Sequence, residues 1–354
     1  MTPTPQTTPP VYFISYHFAN VAGHSGYDKI VPFLGEPIEI SRVMRMLGET
    51  VLRVPGKLIS WYGGSFEYSR HDFVKEVAAF QHMLRHRNCI YHFTQAEKSY
   101  KLLAGMSGKR GHRFVGTFHH PPSHFPWLFR STRHLARLSH AIILSNVQRD
   151  CIEGIVGQGK VTFVPHGVDT EYFTPRSGGR GDHPLRCVFA GNHMRDFDTL
   201  PAVVSGILER VPGAEFFIVS RNRKCEQFAG RERVRWLRDI PDDEYLAALQ
   251  NSDLAVLPLV ESVAVNSALE AMACGLPVVT NRGGVADYLT DACSVMVPAG
   301  DAAAMVEAAS HILKNADLLR RMGNAARSRA LEFSWPRVAE MTRDVYRKVA
   351  EAHD

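Results

Sequence analysis

Residues 261–280 read ESVAVNSALEAMACGLPVVT, and the succession of loop, helix, stop and apolar strand in this stretch decides the fold class. A strand, Asp253–Leu257, precedes it and is closed by Pro258. Asn266 is placed to cap a helix through its side-chain oxygen. Gly275 stops that helix, Pro277 prevents its resumption, and Pro277–Thr280 forms the next strand. The helix carries one carboxylate, Glu270, near its first turns. Open parallel sheets bind ligands in the crevice beyond the C-terminal ends of their strands. A carboxylate at that edge can accept both hydroxyls of a ribose. Taken alone, the segment reads as an amphipathic helix with one solvated glutamate, so the rest of the chain has to decide.

Apolar runs alternate with helical patterns throughout, which is the pattern of parallel α/β layers. The first half predicts strands at Val11–Ser15, Cys89–Phe93, Phe114–Phe118, Ala141–Ser145 and Val161–Val164. The second half restarts at Arg186–Ala190 and continues at Glu215–Val219, Val234–Leu237, Asp253–Leu257, Pro277–Thr280 and Ser294–Val297. Between the halves, TPRSGGRGDHP (Thr174–Pro184) lacks any large apolar residue and reads as a linker. The expected organisation is two parallel α/β domains at 1–175 and 185–334, a linker at 176–184, and a last helix within 335–354.

The 354 residues suffice for two domains of ordinary size. No apolar run reaches the length of a membrane span, and MTPTPQTTPP has no signal-peptide pattern. The six cysteines are scattered without a CxxC pair, which favours free thiols in a reducing cytoplasm over disulfides or zinc. Residues 1–170 hold 19 Lys and Arg against 11 Asp and Glu, and the remainder holds 22 against 25. The basic first half favours an anionic acceptor or a peripheral contact with an anionic membrane surface. No nucleic-acid motif is present.

With those residues in view, the chain resembles the GT-B glycosyltransferases of family 4. Their signature has two glutamates separated by seven residues before an EAMACGLPVV stretch, and the second falls on Glu270. The first falls on Ser262, with Glu261 one residue out of register. The resemblance implies two facing Rossmann-like domains, a C-terminal helix returning to the first, and a nucleotide-sugar donor in the second. It further implies that Glu261, Ser262, Val265 and Asn266 surround the donor sugar. The glycine-rich loop Gly23, His24, Ser25, Gly26 corresponds to the family's phosphate-side loop, where backbone N–H groups approach a phosphate. His119 corresponds to the histidine of the family's TFH element, beside the donor phosphate and anomeric carbon. In AGNHMRDFDTL (Ala190–Leu200), Arg195 takes a basic position facing the diphosphate, and Asn192-His193 stand where a second cation is expected. Local pairing of Arg195 with Asp196 or Asp198 is the alternative. Ser220-Arg221-Asn222 and Trp236–Pro241 lie where the family holds the nucleobase. VPHGVDTEYFTP (Val164–Pro175) resembles an inter-domain element, with Gly167 in a tight turn and Asp169 bonding the loop backbone.

No GxGxxG follows any predicted strand, which weakens a dehydrogenase reading. His119-His120 lack partners at metal-ligand spacing, so no metal site is expected. PPSHFPWLFRSTRHLARL mixes aromatics with Arg130, Arg133 and Arg137, and reads either as a membrane-docking segment or as a helix with its apolar face in the core. The expected reaction is retaining transfer of a sugar from a donor such as a UDP- or GDP-sugar to a hydroxyl of a glycan, lipid-linked or small-molecule acceptor. No cofactor or metal is expected, and the expected location is the cytoplasm, with or without peripheral attachment to the inner membrane face. The alternatives are another GT-B enzyme, such as a sugar-nucleotide epimerase, and a degenerate, non-catalytic nucleotide-sugar-binding protein.

Overall fold

The strands of the second half are short apolar runs without alternation, RCVFA, LAVL and VVTN among them, as strands covered on both faces must be. In the computed structural model they form one of two sheets. The structure describes residues 8–15, 23–40, 42, 46, 68–98, 100–178 and 183–352. The first seven residues of the Pro/Thr tail, residues 16–22 of the loop leading to Gly23, and residues 179–182 of the expected linker lie outside the described residues.

The chain divides into two units. The first comprises 1–18, 27–165 and 336–354, and the second 19–26 and 166–335. The expected boundary at 175/185 thus moves to 165/166, because Val168 pairs with Ser334 and Phe173 is fully buried in the second core. Residues 23–26, expected with the first domain, likewise belong to the second unit.

In the first unit the sheet order is β2-β1-β3-β4-β5-β6, all parallel. The strands are β1 (Val11–Ile14), β2 (Glu36–Pro37), β3 (Ile90–Phe93), β4 (Arg113–Phe118), β5 (His140–Ile143) and β6 (Val161–Phe163). Five agree with the sequence reading. The two-residue β2 carries no apolar run and left no signal. Helices α1 (Val31–Leu34), α2 (Arg70–Arg85), α3 (Phe125–Leu128) and α4 (Arg149–Val156) connect them, with α2 opened by a Ser69/Asp72 capping box. Of the basic–aromatic segment, Phe125, Leu128, Phe129, Leu135 and Leu138 enter the core, and Trp127 stays half exposed.

In the second unit the order is β12-β11-β10-β7-β8-β9, again all parallel. The strands are β7 (Arg186–Ala190), β8 (Glu215–Val219), β9 (Val234–Leu237), β10 (Leu254–Leu257), β11 (Val278–Asn281) and β12 (Ser294–Val297). The helices are α5 (Leu200–Arg210), α6 (Asp242–Gln250), α7 (Asn266–Ala273), α8 (Ala302–Leu313) and α9 (Ala316–Leu331). The final helix, α10 (Trp335–Glu351), contributes its body from Pro336 onward to the first unit, where Tyr346 bonds the ring of His92 at 2.7 Å. Among the described residues no helix is long and apolar enough to cross a membrane.

Candidate functional site

Strand order locates the site in the second unit. The strand order reverses between the first strand, β7, and β10, and loops leaving such a switch point diverge and open a crevice. These two loops are stitched at their base. Arg195 and Leu259 form an antiparallel bridge, the Asp196 N–H donates to the Pro258 carbonyl, and the Val260 N–H to that of Met194. Loop 258–265 then enters α7.

Every residue of α7 from Ser267 to Ala273 is buried, so its single carboxylate is buried with it. Gly275 closes the helix at φ +81°, where a side chain is strained, and the Leu276 N–H turns back to the Ala271 carbonyl. Asn266 is not the cap. Val265 holds the N-cap position in extended conformation, Asn266 is already helical, and no side chain caps the first amides. Val265 itself is buried.

Glu270 is 4% exposed and is engaged on both oxygens. The Ser25 hydroxyl donates to Oε1, and the Tyr245 phenol donates to Oε2 at 2.6 Å. Burial pushes the carboxyl pKa up, against the lowering effect of these two bonds and of Arg195. Tyr245, on α6, was not anticipated. Nothing in its spacing ties it to a carboxylate 25 positions later.

Gly23–Gly26 is fastened to the same unit along most of its length. The Gly23 N–H donates to the Asp242 carboxylate. The His24 ring lies 2.9 Å from Asp169 and stacks on Tyr172 at 3.5 Å, and Ser25 reaches Glu270. After it comes a 3-10 turn, Tyr27–Ile30, leading into the four-residue α1. The Gly23 amide, one of the backbone N–H groups expected to approach a phosphate, therefore has a protein partner, as does the Ser25 hydroxyl.

Arg195 does not pair with Asp196 or Asp198. Its Nε donates to the Ala190 carbonyl at 2.9 Å, Nη1 to the His193 carbonyl at 2.9 Å, and Nη2 to the Ser267 hydroxyl at 2.8 Å. Burial lowers its pKa to about 10, with Tyr245 and Glu270 opposing, and a guanidinium remains cationic there. The cation thus sits beside the uncapped start of α7. Asn192 acts as a brace, its Oδ1 accepting from Ser220 Oγ and the Arg221 N–H, while His193 is exposed. The Arg221 side chain pairs with Asp239 at 2.6 Å.

Ser262 is buried against the turn that follows β11. Its Oγ accepts the Val285 N–H and its carbonyl accepts the Gly284 N–H. Glu261 is in a loop and half-buried. His119, in the first unit, follows β4; its Nε2 lies 2.7 Å from the Thr94 carbonyl and so carries the proton given to it. Its backbone N–H and that of His120 are both held by Oε1 of Glu97, a buried carboxylate that the sequence did not single out. Asp169 holds its loop as expected, accepting the N–H groups of Glu171 and Tyr172. Gly167 serves a close approach, since a Cβ there would stand 2.3 Å from the Trp335 ring. Among the described residues no group of three or more His, Cys, Asp or Glu could hold a metal.

Residues 184–315 match the family described as glycosyl transferases group 1. Over 197 residues the chain is 29% identical to the MMP alpha-(1->4)-mannosyltransferase of Mycolicibacterium hassiacum, covering 52% of this chain and 47% of that protein. It is 26% identical to the D-inositol 3-phosphate glycosyltransferase of Corynebacterium jeikeium, covering 58% and 56%. The chain thus spans about half the length of the curated relatives it matches. A solved glycosyltransferase from Rickettsia africae superposes with a TM-score of 0.68 at 13% identity, over 97% of this chain and 98% of that one, which speaks to the fold. The likeness to the group 1 glycosyl transferases is thus carried by residues 184–315, and the two parallel sheets of the described residues are those of the GT-B fold.

Proposed function

We propose that the protein transfers a sugar from a nucleotide-sugar donor, such as a UDP- or GDP-sugar, to a hydroxyl of a glycan, lipid-linked or small-molecule acceptor, with retention of anomeric configuration. One observation carries the reading: a buried carboxylate, Glu270, at the switch point of a parallel sheet, accepting a hydroxyl on each oxygen. That is the bonding a ribose diol would offer. The relatives named for mannosyl and inositol-phosphate chemistry support sugar transfer to a polyol or glycan.

Arg195 and the uncapped amides of α7 would take the diphosphate. Three of the five N–H groups of the guanidinium are used to hold it in place, and the rest can meet phosphate oxygens. A fixed cation and a helix N-terminus together stabilise a departing diphosphate without reorganising during the reaction. In this reading the protein's own cation takes the place of a metal. His119, its Nε2 donating to the Thr94 carbonyl, would help to orient substrate. Glu261, the rest of loop 262–265 and Asn266 at the start of α7 would line the sugar.

Calorimetry with UDP and GDP tests the reading. Glu270→Gln should weaken nucleoside diphosphate binding by roughly 1.5–3 kcal/mol with the fold intact. Arg195→Ala should weaken diphosphate binding far more than nucleoside binding, and transfer should persist in EDTA. Unchanged affinity in Glu270→Gln would remove this carboxylate from the site. Loss of transfer in EDTA with rescue by a divalent ion would sink the proposed diphosphate site.

A further inference from the structure

A buried carboxylate cannot stand without hydrogen-bond donors, since leaving one unmet forfeits its solvation with nothing in return. Glu270 meets that demand internally, and its two donors differ in kind. Tyr245 belongs to helix α6. Ser25 belongs to a four-residue strap with no regular secondary structure of its own. The strap is held by three separate side-chain fastenings, Asp242 on Gly23, Asp169 and Tyr172 on His24, and Glu270 on Ser25.

Beside them remains a cavity of about 10 Å³, lined by Ser25, His166, Phe173, Asn266 and Glu270 among others. That is room for about one water molecule and far too little for a ribose. Each carboxylate oxygen has two lone pairs, so Tyr245 can keep its bond when a diol arrives. Ser25 cannot, because the strap fills the space.

We propose that the Gly23–Gly26 strap is a gate on the nucleotide site, with the Ser25 hydroxyl occupying the seat of a ribose hydroxyl on Glu270 until a nucleoside diphosphate displaces it. This rests on the reading of Glu270 as the ribose carboxylate. Under it, donor binding includes the work of lifting the strap, and weakening any fastening raises affinity for the nucleotide. A strap that instead formed part of the bound site would act in the opposite sense.

The experiment is calorimetry of UDP, GDP and ADP against the wild-type chain, Ser25→Ala and His24→Ala, with amide hydrogen exchange of the strap measured with and without nucleotide. Both variants should bind the preferred nucleotide about three- to tenfold more tightly, and the amides of residues 23–26 should exchange faster in the wild-type complex. Equal or weaker binding by both variants, or slower exchange on binding, overturns the gate while leaving the nucleotide reading in place. Absence of binding by wild type and variants alike overturns the nucleotide reading, and the gate with it. Should Ser25→Ala fail to fold, His24→Ala and the exchange measurement on wild type decide.

Discussion

Among the described residues the two units share an architecture of six parallel strands and fill it differently. The second is chiefly Val, Leu, Ile and Ala, as in LAVL of β10 and VVTN of β11, with phenylalanines such as Phe189 and Phe216 among them. The first packs aromatics, with Tyr91, Phe93, Tyr100 and Phe114 meeting edge to face, and laces them with histidines. His92 is fully buried between Tyr346 and Thr117, His140 bonds Thr162, and His112 bonds the Met83 carbonyl. An aliphatic core is indifferent to pH. A histidine core is stable only while its rings stay neutral.

Acidification should therefore separate the units, and this is the largest effect we expect. Burial lowers the pKa of His92 to about 3 and those of His82, His134 and His140 to about 4, all in the first unit. A group depressed in the folded state contributes stability above its unfolded value, 6.5, that is lost as pH falls toward the folded value. Glu76 and Glu97, whose pKa values burial raises, act in the opposite sense, and their contribution is present below the ordinary carboxylate value, 4.5. As pH falls toward 4.5 these two carboxylates take up their protons and regain part of what the histidines lose, so the expected loss rests on four depressed histidines set against two raised carboxyls. Hydrogen exchange from pH 7 to 5, corrected for intrinsic rates, should show β3–β5 losing protection while β7, β10 and β11 keep theirs. Equal loss in both sheets would break the comparison.

A second test stays in the first unit. The Glu76 carboxylate accepts four backbone N–H groups, those of Tyr100, Lys101, Leu102 and Leu103, at 2.6–3.1 Å. Glu76→Gln replaces one acceptor oxygen by a donor facing those amides. It should cost roughly 2 kcal/mol or more in urea denaturation. A neutral result would mean that the turn supplies its own partners.

The smallest effect belongs to the second unit, where packing alone is at stake. Gly167→Ala brings a methyl into the Trp335 ring and should cost roughly 1–3 kcal/mol, without altering its pH dependence. A new pH dependence would show that the nearby His166, whose ring lies 5.3 Å from that of Trp335, carries part of the packing.

The same contrast explains what could be read in advance. In the second unit each strand is built on an apolar run and α7 has its stop in Gly275, so the strands and that helix end were legible to within about one or two residues. The histidines of the first unit fall inside apolar runs, as in IYHF and HAII, where they do not disturb the pattern. Their partners, Tyr346 for His92 and Thr162 for His140, lie far along the chain.

At the site, the chain order alone was enough to locate Glu270 on a helix at the ligand edge of a parallel sheet, because period, stop and strand are local properties. The roles of its neighbours were not local. Asn266 has the chemistry of a cap, but the backbone of Val265 takes that position. Arg195 has carboxylates beside it in sequence and instead spans a strand end and a helix start. Ser25 and Tyr245 meet on one carboxylate from 245 and 25 residues away. Periodicity and turn chemistry act over a few residues and so determined the elements. Which side chains complete a buried charge depends on where distant segments arrive, and only the tertiary structure decided that.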